Sequence, residues 1–168
     1  MSGDSQGAIS VRSVTPAETW PLRQLVLRPG RPAESSVYPG DDHPSTVHLG
    51  AFLEDQLVGI ASLYAERRGT GKAEGPGWRL RGMASSPEVR GRGVGRALLH
   101  ACVEHVARRG GGELWCNARM PAVPFYATSG FEVVSEQFDI PDIGPHVVMR
   151  RMVRGNRRGR SVLGHPGR

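Results

Sequence analysis

Cysteine is almost missing from this chain: only Cys102 and Cys116 occur in 168 residues. Two cysteines so far apart make neither a disulfide framework nor a zinc site, and no metal is expected. Both fall in apolar patterns and read as buried, reduced thiols. Long hydrophobic runs are absent too. No apolar stretch approaches the roughly 18 residues of a membrane span, which argues against a membrane protein. Met1 to Gln6 is polar, without the basic-then-apolar order of a secretory leader, so the expectation is a cytoplasmic protein. Lysine is nearly absent: Lys72 is the only one among 22 basic residues, which reads as compositional bias rather than chemistry. Acid is missing from residues 154 to 168, where Arg154, Arg157, Arg158, Arg160 and Arg168 supply five of the six net positive charges, so the body is near 6 − 5 = +1. That tail also lacks aromatic residues for stacking on bases, so nonspecific nucleic-acid binding ranks last among the functional readings.

What is present fits one globular domain, with 38% apolar and 23% charged residues. The organising stretch is Arg90-Gly91-Arg92-Gly93-Val94-Gly95, which runs into an unbroken helical pattern from Arg96 to Arg109. Apolar residues at 94, 97, 98, 101, 102 and 106 mark one buried face, and Gly110-Gly111-Gly112 ends the run. A glycine-rich loop opening a helix offers outward-facing N–H groups and a partial positive charge, which together make a phosphate site. The dinucleotide fingerprint fails because Arg96 stands where its third glycine would be. The P-loop fails because Val94-Gly95-Arg96 is not Gly-Lys-Ser/Thr.

The remaining elements follow in order. Residues 8–14 alternate as an edge strand, and Thr15-Pro16-Ala17-Glu18 starts a helix whose expected buried face is Trp20, Leu22, Leu25, Val26 and Leu27. Residues 29–46 form a long loop, with Tyr38, Asp41, Asp42 and His43 as candidate substrate contacts. Strands are expected at 47–53, 57–64 and 78–84, the first two joined by a tight turn at Glu54-Asp55-Gln56. After the long helix come a strand at 113–118, a short helix from Pro121 to Ser129, and strands at 131–134 and 146–153. Such an order predicts one mixed, mostly antiparallel α/β (α+β) sheet of about six or seven strands with helices on both faces. The expected domain is 8–153, between a flexible N-terminus (1–7) and a disordered basic tail (154–168).

Arg90, Gly93 and Gly95 spell Arg-x-x-Gly-x-Gly, which resembles the pyrophosphate loop of the GNAT superfamily of acetyl-CoA-dependent N-acetyltransferases. Phe125-Tyr126-Ala127-Thr128-Ser129-Gly130-Phe131 resembles that family's second motif, one helix and one strand further on. The resemblance implies acetyl transfer from acetyl-CoA to a primary amine, with a non-catalytic acyl-CoA-binding module as the alternative. Arg90, Gly91, Arg92, Gly93, Val94, Gly95 and Arg96 would hold the pyrophosphate. Met83, Ala84 and Ser85 would offer a strand edge to the pantetheine arm, and Asn117, on the next strand near the cleft, could bind pantetheine or orient water. By the same resemblance Tyr126 is the acid that protonates the departing thiolate. No general base is assigned: residues 78–86 carry no acid, Glu88 points to solvent, and His43, His48 and His146 read as ordinary surface or loop residues. Asp41, Asp42 or Asp142 could draw a cationic amine to the cleft. Pairing through sheet edges, as a homodimer, is a further expectation.

Overall fold

The structure, a computed structural model, describes residues 7–69 and 76–156. The expectations of a flexible N-terminus at residues 1–6 and a disordered tail at 157–168 lie outside them. β1 (Ser10–Val14) leads to α1 (Pro16–Leu22). Thr15 caps that helix reciprocally: its hydroxyl oxygen accepts from the Glu18 N–H at 3.3 Å, and the Glu18 carboxylate accepts from the Thr15 N–H at 3.1 Å. Pro21, inside the helix, has no N–H to donate. The chain then widens into a π-turn over Arg23–Leu27, closed by the Arg28 N–H on the Arg23 carbonyl at 2.9 Å. The wider turn changes which residues point inward. Thr19 and Arg23 are buried, whereas Trp20 is 39% and Leu25 60% exposed, so the buried face expected from 3.6-residue spacing is wrong at those two positions.

β2 (Val47–Leu53) and β3 (Gln56–Tyr64) form a hairpin, and β4 (Gly77–Ser85) continues the antiparallel meander. Glu54 and Asp55 sit in the turn at φ of 47° and 65°, the backbone a tight two-residue hairpin needs. After a single 3₁₀ turn at Pro87–Val89 and the glycine loop comes α2 (Val94–Arg108). β5 (Gly111–Arg119), α3 (Val123–Ala127), β6 (Glu132–Val133), β7 (Phe138–Ile140) and β8 (Gly144–Arg154) complete the described chain. The strand order is β1-β2-β3-β4-β5-β8-β6, with β7 also on β8, giving eight strands where six or seven were expected. The addition is β7, three residues long.

Only β4 and β5 run parallel among these pairs, and they touch only at Gly77–Arg79 against Glu113–Trp115. Beyond that seam the strands separate. β4 also carries an extra residue near Gly82, whose φ is +64°, where the register against β3 slips between Ile60 and Ser62. The halves on either side of the opening remain antiparallel and fully paired, β5 with β8 from Gly111 to Arg119.

Alternation along β3 shows the two covered faces. Ala61 and Leu63 join the cluster with Leu98, Leu99, Cys102 and Val106 of α2. Ile60 packs with Leu22, while Ser62 and Tyr64 accept hydrogen bonds from Arg23. Thus α2 covers one face and the α1–π-turn segment the other. Each fully buried leucine in the α2 layer contributes about 1.5–3 kcal/mol. β8 runs to Arg154, and the Asn156 N–H bonds the Ala107 carbonyl at 2.9 Å, so the ordered chain extends past Val153.

Candidate active site

Two cavities flank the C-terminal end of β4. The first, about 610 Å³, is built around the glycine loop. Met83, Ala84 and Ser85 form one wall, and Arg90, Gly91, Gly93, Val94, Gly95 and Arg96 another. Gly93 is the residue before the helix and has φ +84°, a backbone that ordinary residues adopt at a cost. Its first helical hydrogen bond is Ala97 N–H to Gly93 O at 3.0 Å, so the amides of Val94, Gly95 and Arg96 find no partner inside the helix. A Cβ at Gly95 would stand 3.3 Å from the Phe125 ring, so glycine there lets α3 pack against the loop. Arg92 differs from its expected place: its N–H bonds the Val89 carbonyl at 3.2 Å, and its side chain lines a separate depression with Glu54 and Glu88.

The second cavity, about 180 Å³, occupies the opening between β4 and β5. Asn117 lies here, on β5, and Tyr126 faces the cleft from α3. Met83 lines both cavities, and the adjacent Phe125 and Tyr126 contribute one to each, so the two spaces meet at these residues. Tyr126 is buried between Phe125 and Phe131, with ring centroids 5.1 and 5.5 Å away, and its hydroxyl is bonded with the Cys116 thiol. Burial, reinforced by the two cysteines, pushes its pKa up, so the phenol stays protonated.

The sequence suggests a surface or loop residue at His146. It is instead a buried member of β8 lining the cleft. Its Nδ1 lies 2.7 Å from the Gly144 carbonyl, which can only accept, so Nδ1 carries the hydrogen and a neutral ring leaves Nε2 as the free acceptor. Nε2 has no hydrogen-bond partner among the described residues. His48 is also buried, with Nδ1 2.7 Å from the Ser62 hydroxyl, and of these three histidines only His43 is exposed.

Of the loop candidates, Tyr38 alone reaches the cleft. Asp41 is interior: both its oxygens pair with Arg23, at 2.7 and 3.2 Å, and accept from Tyr64 at 2.6 Å and the Tyr38 N–H at 2.9 Å. Asp42 and His43 line a different depression, and Asp142 pairs with Arg31 at 3.3 Å on the surface. The expectation that one of these carboxylates draws a cation into the cleft is therefore overturned, because Asp41 is already neutralised and the others lie elsewhere. Sequence reading missed Arg28, Arg79, Arg81 and Arg119, all of which line the cleft. The available signal was Arg79 and Arg81 two apart on a strand whose alternate residues, Trp78 and Leu80, are buried.

Among the described residues no group of three or more His, Cys, Asp or Glu could hold a metal, and no helix is long and apolar enough to cross a membrane.

A glycine-loop helix beside a parted pair of parallel strands frames the site, and comparison with known proteins gives its class. Residues 16–131 match the model of the acetyltransferase (GNAT) family. The chain is 33% identical over 149 residues to YitI of Bacillus subtilis (strain 168), an uncharacterized N-acetyltransferase, covering 89% of this chain and 99% of that protein. An acyl-CoA N-acyltransferase from Pseudomonas aeruginosa superposes with a TM-score of 0.69 at 22% identity, over 86% of this chain and 99% of that one. An aminoglycoside 6'-N-acetyltransferase complexed with coenzyme A superposes with 0.68 at 15% identity, over 88% and 98%. This chain belongs to the GNAT family and is an acyltransferase.

Proposed function

We propose that the protein transfers an acetyl group from acetyl-CoA to a primary amine of a small molecule or peptide. The observation that carries this reading is the junction at Met83, which lines both the glycine-loop cavity and the cleft holding Tyr126 and His146. Val94, Gly95 and Arg96 amides, with the Arg90 and Arg96 side chains, suit a pyrophosphate. From Leu80 to Ser85 the β4 edge is free of β5, and its open backbone groups suit the amide-bearing pantetheine arm. The solved relative holding coenzyme A supports the same donor class.

In the transfer, the amine nitrogen bonds to the acetyl carbon and the carbon–sulfur bond breaks. A protonated amine must first lose a proton, and His146 Nε2 is the acceptor this cleft offers. The departing thiolate takes a proton from the Tyr126 hydroxyl, and the proton that the acylated nitrogen sheds on becoming an amide returns through water to Tyr126. Burial keeps that phenol in its donor form. Calorimetry with acetyl-CoA, followed by thiol release with a panel of amines, tests the reading. Micromolar binding and amine-dependent release are expected; no binding of acetyl-CoA overturns it.

A further inference from the structure

We propose that the amine acceptor also carries a carboxylate or phosphate, held by Arg28, Arg81 and Arg119. This inference rests on the transfer reading of the cleft and names the substrate class that the cleft would select.

Four arginines line this small cavity, and no aspartate or glutamate does. They are not equivalent. Arg79 has a carboxylate partner, Glu66, at 3.4 Å. Arg28, Arg81 and Arg119 have none among the described residues. Arg119 reaches only the Leu27 carbonyl, at 3.4 Å. Arg81 and Arg28 lie over the Tyr38 ring, at 4.5 and 5.9 Å from its centre. All three are half-buried, so their charges are partly withdrawn from water without an anion to compensate them. Burial, and then the neighbouring Arg79, push the Arg81 pKa down, the direction expected of a cation among cations.

The charge is maintained from beneath. Tyr38 also covers Arg23, 4.0 Å from the ring centre, and Arg23 is matched by Asp41 in the interior. Asp41 therefore contributes nothing to the cleft, and the side chains exposed there are uniformly basic or neutral. Planar guanidinium groups recognise carboxylate and phosphate oxygens in two-point geometry. Leu27, Ile140 and Ile143 give the same cavity an apolar side. An anionic amine fits this lining, whereas a polycation such as an aminoglycoside or polyamine meets like charge. At about 180 Å³ the space suits a small molecule or one chain end.

The test uses the full-length protein saturated with CoA, and matched pairs sharing one amine: alanine against alaninamide for carboxylate, phosphoethanolamine against ethanolamine for phosphate. Spermidine and kanamycin represent cations. Calorimetry should show the anionic member of at least one pair binding about tenfold or more tightly than its partner, and the pair identifies which anion is read. In thiol-release assays with acetyl-CoA, Arg81→Gln should raise KM for that amine about tenfold or more, with acetyl-CoA affinity unchanged and Arg81→Lys retaining part of the preference. If Arg81→Gln does not fold, Arg28→Gln carries the same expectation. Equal affinity within both pairs, tighter binding of spermidine or kanamycin, or no binding by any member overturns the inference. A loss of acetyl-CoA affinity in the arginine variants also overturns it, by assigning them to the donor. Failure of CoA itself to bind overturns the transfer reading, and this inference with it.

Discussion

Arg23 and Asp41 meet in the interior as a two-point ion pair, Nη1 to Oδ2 at 2.7 Å and Nη2 to Oδ1 at 3.2 Å, with side chains 0% and 3% exposed. The pair ties the π-turn to the loop that carries Tyr38, and so fixes the wall of the cleft. Breaking one partner leaves an uncompensated buried charge, so Asp41→Asn should cost about 3–5 kcal/mol in urea unfolding at pH 7. Burial alone would raise the Asp41 pKa, but hydrogen bonds from Arg23, Tyr64 and the Tyr38 N–H outweigh it and hold it below its ordinary value. A depressed carboxyl stabilises above its unfolded pKa of about 3.8 and loses that contribution as pH falls through the lower folded value. The gap between wild type and Asp41→Asn should therefore narrow only in that acid range. A gap unchanged down to pH 2 would contradict it.

Gly93→Asp should weaken acetyl-CoA binding by at least about tenfold. Nothing lies within 4 Å of a Cβ at this position, so sterics do not decide the outcome. Gly93→Asn is the control, because Asn tolerates positive φ and matches Asp in size without charge. Equal affinities for the Asp and Asn variants would show that no phosphate lies near this residue.

Tyr126→Phe keeps the ring between Phe125 and Phe131 and removes only the hydroxyl. Loss of a general acid should lower kcat by about 10²–10⁴ while acetyl-CoA affinity stays nearly constant. Normal kcat, with acetyl transfer limiting the rate, would leave Tyr126 as a packing residue alone.

His146→Gln should lower kcat by a similar order near pH 7. Raising the pH deprotonates the free amine without help, so the ratio of wild-type to variant kcat/KM should shrink between pH 7 and 10. A ratio constant across that range would remove His146 as proton acceptor.

Cys102 and Cys116 should be inert toward a thiol-specific reagent at pH 8. Burial pushes both thiols up to about 12, so almost no thiolate exists there. Labelling should be absent in the native protein and reach two thiols in 6 M guanidinium. Rapid native labelling of Cys102 would show that the α2–β5 interface opens.

The glycine loop, α2 and the β2–β4 meander were legible because each strand, turn and helix in them is encoded locally by turn chemistry or by one periodicity. The same holds for the Tyr126 motif. The inward turn of Arg23 was not, because a π-turn shifts phase and the sequence pattern assumes 3.6 residues per turn. β7 escaped because three residues carry no alternation to read. The cleft escaped for a different reason. Its arginines come from the π-turn end, β4 and β5, and an arginine on a strand reads locally as a solvated residue. Only the parting of β4 from β5 turns Arg81 and Arg119 toward a shared space, and no local pattern encodes that parting.

The seam at Gly77–Arg79 is short, yet α2 packs on strands from both halves of the sheet, β2, β3 and β4 on one side and β5 and β8 on the other. The helix that opens at the glycine loop is thus also the brace that sets how wide the two halves stand apart. On the proposed donor site, an anion held at its first turn would act on the same element that spaces the cleft walls, linking the grip on the donor to the width offered to the acceptor.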